Sequence, residues 1–151
     1  MNTEDLREEL RKHTVTFTRR QIKDNHESTL AHNMKLYVME DRPYRALPLD
    51  QWEKVIKWWS EQKQPHTLEE EGLWCWGKAM GLAALSRWYL DIDGVGMASD
   101  FSSKHGYAVP LIVNDDKTTF RYGISEPWAV WEIKDAYEHH FYKMEKGIII
   151  F

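Results

Sequence analysis

The chain has 151 residues, 42% of them hydrophobic and 29% charged, with a net charge of −4. That is one domain's worth of chain (1–151), long enough to bury a core without disulfide or metal staples. Scattered basic residues on a net negative chain argue against nucleic acid as the main partner, because phosphate binding needs a concentrated basic face.

A single cysteine excludes an internal disulfide and points to a reducing compartment. The charged start "MNTEDLREELRK" carries no secretory pattern. No apolar run reaches the roughly 20 residues of a membrane span. A cytoplasmic protein with no membrane partner is therefore expected. The eight tryptophans suit a large aromatic core or an aromatic-lined groove for peptide or sugar.

In chain order, "TEDLREELRKH" predicts a short helix with Thr3 as N-cap and acids in its first turn. "TVTFT" alternates Val15 and Phe17 with threonines and predicts a strand. "TFTRRQIK" is the densest basic stretch and reads as a solvated face. "NMKLYVME" alternates Met34, Leu36 and Val38, a second strand. "RPYRALP" reads as a loop. "LDQWEKVIKWWSEQ" predicts a helix capped by Asp50, with Glu53 completing a capping box. Its apolar face is Trp52, Val55, Ile56 and Trp59. "KQPHTLEEEG" reads as an exposed connection, with Glu69–Glu71 a solvated acidic run.

"CWGKAMGLAALSRWYL" predicts a helix starting near Cys75. It is apolar nearly all round and so expected to be buried, with Gly77 and Gly81 permitting close packing. The pattern then turns to strands: "VGMASDF", "GYAVPLIV" and "TTFRYGIS", the last two joined by an "NDDK" turn. Pro110 implies an edge strand or a bulge. "PWAVWEIKDAYEHHFYK" reads as partly helical, and "GIIIF" as a closing buried strand. Helices first and a largely antiparallel sheet after them predict an α+β fold.

Three polar residues fall at the ends of buried elements in this scheme. Cys75 opens a helix, where unpaired amides favour a thiolate. His105 stands before a strand, and Glu126 ends the next antiparallel one. A helix packed across the sheet would let His105 take the Cys75 proton and later protonate a leaving group, with Glu126 orienting the imidazole. The bland alternatives are a small core cysteine and a structural histidine.

The segment "GVGMASDFSSKHGYAVPLIVNDDKTTFRYGISEPW" resembles papain-like cysteine protease domains of the kind that follows the lectin domain in the fairy-ring mushroom agglutinin. That family has small stand-alone relatives in phages and bacteria. The resemblance covers about residues 47–151. It rests on the glycine–valine–glycine strand start, the Asp100, Ser102, Ser103, His105, Tyr107 cluster and the Glu126–Pro127 pair. "RALPLDQWEKVI" is similar to the helix before the catalytic one, and "KGIIIF" to the last strand. The resemblance implies Cys75 as nucleophile, His105 as base, Glu126 as orienting carboxylate and a peptide or protein substrate. Residues 1–46 carry no resemblance and read as an N-terminal extension.

The chain departs from the family at its cysteine. "WCWGKA" keeps Ala79 but lacks the flanking aspartates, which puts the family's calcium requirement in doubt. Asp91, Asp93 and Asp100 are the remaining acids that could hold a cation. Trp128 stands where the family carries a glutamine. Gln62 and Gln64 lie upstream, as an oxyanion glutamine would, and the Cys75 backbone N–H is a further donor.

Two readings of function follow. In the first, the chain is a cysteine hydrolase with Trp74, Trp76 and Trp128 lining its cleft and no other cofactor. In the second, it is a catalytically dead binding module on the same fold, such as a phage protein that inhibits a host factor. A metal hydrolase built on His139 and His140 is disfavoured, because adjacent helical residues point to different faces.

Overall fold

The computed structural model describes residues 2–29, 34–62, 74–100, 106–126, 130–135 and 147–151. Within them lie four helices, α1 (Thr3–Arg11), α2 (Arg19–Thr29), α3 (Leu49–Ser60) and α4 (Trp74–Leu90). The eight strands are β1 (Val15–Phe17), β2 (Met34–Tyr37), β3 (Tyr44–Pro48), β4 (Val95–Asp100), β5 (Gly106–Val113), β6 (Phe120–Glu126), β7 (Val130–Asp135) and β8 (Gly147–Ile150). The fold is α+β.

All eight strands join one mixed sheet, ordered β1-β3-β5-β4-β8-β2, with β6 and β7 continuing from the other edge of β5. The pairs β2–β8 and β3–β5 are parallel; the rest are antiparallel. The sheet is therefore less uniformly antiparallel than the sequence predicts. Residues 15–17, 34–37 and 44–48, all in the first third of the chain, supply three of its strands.

β5 is the axis of the molecule, and every residue in it is buried. Tyr107, Val109, Leu111 and Val113 face a core shared with Phe17, Ile22 of α2, Tyr122 and Ile149. Ala108 and Ile112 face the opposite core, beneath α1, α3 and α4. That two-sided burial is why "GYAVPLIV" is an unbroken apolar run. The result is three layers, with α2 on one face of the sheet and three helices on the other.

Pro110 lies within this central strand, not at an edge. It pairs with Val95 of β4, while the register with β6 steps from Ala108↔Ser125 to Leu111↔Tyr122, skipping Val109 and Pro110. A proline lacks the N–H to fill that rung. Gly123, opposite it, leaves room for the ring: a Cβ there would lie 3.1 Å from Pro110 Cγ.

Other local expectations are corrected. Asn2, not Thr3, caps α1, its Oδ1 accepting from the Asp5 N–H at 2.8 Å. The N-cap of α3 is Pro48, with no side-chain cap bond, and Asp50 lies inside the first turn. "YRALP" is strand β3, because Ala46 and Leu47 are buried and its end pairs with β5. Val130–Asp135 is a strand: it pairs with β6, and exposure alternates through Glu132, Ile133 and Lys134. The basic stretch after Phe17 is helix α2. It opens with a capping box in which Thr18 N–H donates to Gln21 Oε1 and Gln21 N–H donates to Thr18 Oγ1.

α3 buries Trp52, Val55, Ile56 and Trp59 as its pattern predicts, with Trp58 added. α4 is not buried all round. Ala79, Leu82, Ser86 and Leu90 are buried, whereas Met80, Arg87, Trp88 and Tyr89 are exposed. Its composition is apolar on both sides, but only one side meets the sheet.

Candidate active site

The N-terminus of α4 meets the start of β5. Cys75, the second residue of the helix, is a free, half-buried thiol. The first amides of any helix lack intrahelical acceptors, so this turn presents partial positive charge beside the sulfur. Gly106, the first residue of β5, closes against it. A Cβ at 106 would lie 3.1 Å from the Trp76 nitrogen and Cα and 3.3 Å from the Cys75 carbonyl carbon. A Cβ here would be packed more tightly than is usual, so glycine eases the close approach of strand and helix.

Glu126 ends β6. It follows Ser125, which pairs with Ala108, two residues after Gly106; the β6–β7 register shifts between Ser125 and Glu126. The helix turn carrying Cys75, the start of β5 and the end of β6 thus converge at one end of the sheet. His105 and Trp128 lie outside the described residues. So do Gln64, Glu69–Glu71, His139 and His140. Trp76 is half-buried in the first turn of α4, and Trp74 opens that helix.

Ser125, one residue before Glu126, is fully buried, and among the described residues its hydroxyl has no hydrogen-bond partner. Its Ala108 partner belongs to the helical face, so the hydroxyl shares that face with Gly106. Sequence reasoning passed over Ser125 because a serine in an alternating strand reads as solvent-facing.

Gln62 donates its side-chain amide to the Trp58 carbonyl at 2.9 Å and so binds back onto α3. Asp93 is buried rather than solvated. Its Oδ1 accepts from the Arg45 backbone N–H at 2.6 Å, and its Oδ2 accepts from Arg45 Nη2 at 3.0 Å and from Arg42. Burial pushes this carboxyl up, but the hydrogen bonds and charge of Arg45, with the charge of Arg42, outweigh it and hold the pKa below its ordinary value. Two guanidiniums occupy the Asp93 oxygens a calcium ion would need, so Asp93 does not fit that ion. No group of three or more histidine, cysteine or acidic side chains among the described residues could hold a metal.

No helix among the described residues is long and apolar enough to cross a membrane. No protein-family model matches the sequence, and no curated protein matches it.

Proposed function

We propose that the chain is a papain-like cysteine hydrolase that cleaves an amide or related acyl bond in a peptide or protein through a thioester. The observation that carries the reading is the contact of Gly106 with the Cys75–Trp76 backbone. His105 is one peptide bond from Gly106, and consecutive Cα atoms are about 3.8 Å apart. Glu126 is supported by its place next to Ser125, whose partner Ala108 lies two residues after Gly106.

In this mechanism His105 takes the Cys75 proton. The thiolate attacks the carbonyl carbon, and the oxyanion is held by backbone N–H groups of the first turn of α4. His105 returns the proton to the leaving amine as the tetrahedral intermediate collapses to a thioester. Water, deprotonated by His105, then resolves the thioester and frees the acid and the thiol. Glu126 holds the imidazole in its working tautomer. Trp74, Trp76 and Trp128 border the cleft, and a reducing, cytoplasmic compartment keeps the lone thiol available.

The test is the pH dependence of Cys75 alkylation by iodoacetamide in wild type and in His105→Ala. A thiolate–imidazolium pair reacts fast well below the free-thiol pKa of about 8.5, and the substitution abolishes that reactivity. Alkylation that follows an ordinary thiol in both proteins overturns the reading.

A second reading, a binding module on the same scaffold, is favoured by Trp88, which is 80% exposed on the outer side of α4. Partner binding that survives Cys75→Ala and fails in Trp88→Ala would select it.

A further inference from the structure

A groove runs between the flank of α4 and the sheet surface formed by β4 and β8, floored by Met97 and Ile150 and walled by Met80, Ala84 and Arg87. α4 covers only part of this face, so Met80 stays 53% and Ile150 39% exposed. Neighbouring Tyr37, paired with Ile150, is also exposed and extends the apolar surface.

The groove's Met97 lies two residues along β4 from Ser99, which pairs with Gly106 beside the Cys75 turn. Met80 lies four residues after Trp76, so the two share one face of the helix. Along α4 the groove's lining runs from Met80 to Arg87, about 10 Å of helix. That equals about three residues of extended peptide. At the far end the charges are matched internally: Arg42 binds Asp93 and Glu40, and Arg87 faces Glu40 at 3.4 Å. A balanced rim sets no demand for charge on what lies in the groove, and two flexible thioethers suit varied apolar side chains.

We infer that this groove holds an extended, uncharged apolar peptide segment of about three residues, leading to the bond attacked at Cys75. The inference rests on the hydrolase reading and adds its substrate class. Substrate preference is set along α4 and by Met97 and Ile150, away from the reacting atoms.

The experiment compares three alkylating probes on the full chain: iodoacetamide, an iodoacetylated valine–leucine tetrapeptide amide and an iodoacetylated serine–glycine tetrapeptide amide. The apolar peptide is expected to modify Cys75 about tenfold faster than the polar one, the effect of burying roughly two methylene groups. Met80→Glu and Ile150→Glu, both at exposed positions, are expected to remove that preference while leaving the iodoacetamide rate unchanged. Equal rates for the two peptides, with iodoacetamide reacting as a His105-dependent thiolate, overturn the groove alone. A Cys75 that shows only ordinary thiol reactivity toward all three overturns the hydrolase reading and the groove's role with it.

Discussion

Gly106 rests against the backbone of Trp76, close enough that a Cβ would lie 3.1 Å from two of its main-chain atoms. Neither atom belongs to a flexible side chain, so the helix or the strand would have to move. Gly106→Ala is therefore expected to cost roughly 1–3 kcal/mol as overpacking. It is also expected to slow the low-pH alkylation of Cys75, because the first turn of α4 shifts relative to β5. Urea unfolding and an alkylation time course check both. Unchanged stability would mean that the approach is looser than the geometry implies.

Gly94 has a tighter constraint. Its N–H donates to the Arg45 carbonyl and its own carbonyl accepts from Leu111 N–H, both at 2.7 Å, so it stitches the β3 and β4 segments to one edge of β5. A Cβ would lie 2.7 Å from the Arg45 carbonyl oxygen and 3.0 Å from Ala46 Cα. Gly94→Ala is expected to destabilise by about 3 kcal/mol, in the upper range of point substitutions. The urea midpoint should fall with little change in slope. A midpoint within error of wild type would contradict the close approach.

Asp93 makes acid sensitivity predictable. Its folded pKa is lowered, so the stability it contributes is complete above its unfolded pKa, about 3.9, and is lost as pH falls through the lower folded value. Stability should therefore drop on acidification below about pH 4. Asp93→Asn should flatten that limb. At neutral pH it should cost roughly 3 kcal/mol, because Arg42 and Arg45 lose a buried partner. Thermal unfolding across an acid pH series would reveal either effect. A variant with the same acid limb as wild type would assign the limb to other carboxylates.

Sequence patterns were readable where one rule dominated. The face of α3, the two-sided run of β5 and the alternation of Val15 and Phe17 each follow from burial periodicity. The short elements were harder. "YRALP" is flanked by prolines and earns its strand state from two partners elsewhere in the chain, which local sequence does not contain. α2 was obscured by its charge, although "TRRQ" carries the capping box that opens it. Asp93 reads as a candidate cation ligand in the sequence because nothing local announces Arg42 and Arg45. Of the candidate site, the helix start at Cys75 and the strand end at Glu126 were legible. The closeness of Gly106 to Trp76 was not, because it depends on how helix and sheet pack.

The β5–β6 turn sets the register that pairs Ser125, next to Glu126, with Ala108, and Asp116 organises it. The Asp116 carboxylate accepts from the Thr118 N–H at 2.9 Å, the Thr119 hydroxyl at 2.7 Å and the Thr119 N–H at 2.9 Å. These bonds, led by the Thr118 amide, lower its pKa to about 2. The sign is that of a depressed carboxylate: its contribution is present above the unfolded value and fades as pH falls toward about 2. Asp116→Ala removes three acceptor contacts at once and leaves Lys117, at φ 60°, in a left-handed conformation that non-glycine residues adopt reluctantly. The variant is expected to loosen the hairpin, with faster amide exchange at Thr118 and Thr119 and in the Ile112–Arg121 rungs. Carboxyl-detected NMR titration of the wild type should place Asp116 well below the ordinary aspartate value, at about 2. An ordinary titration would show that the turn is held by its backbone alone, through the Asn114–Thr119 bond. Glu126 should then keep its place in the Asp116→Ala variant, and the low-pH alkylation rate of Cys75 would not change.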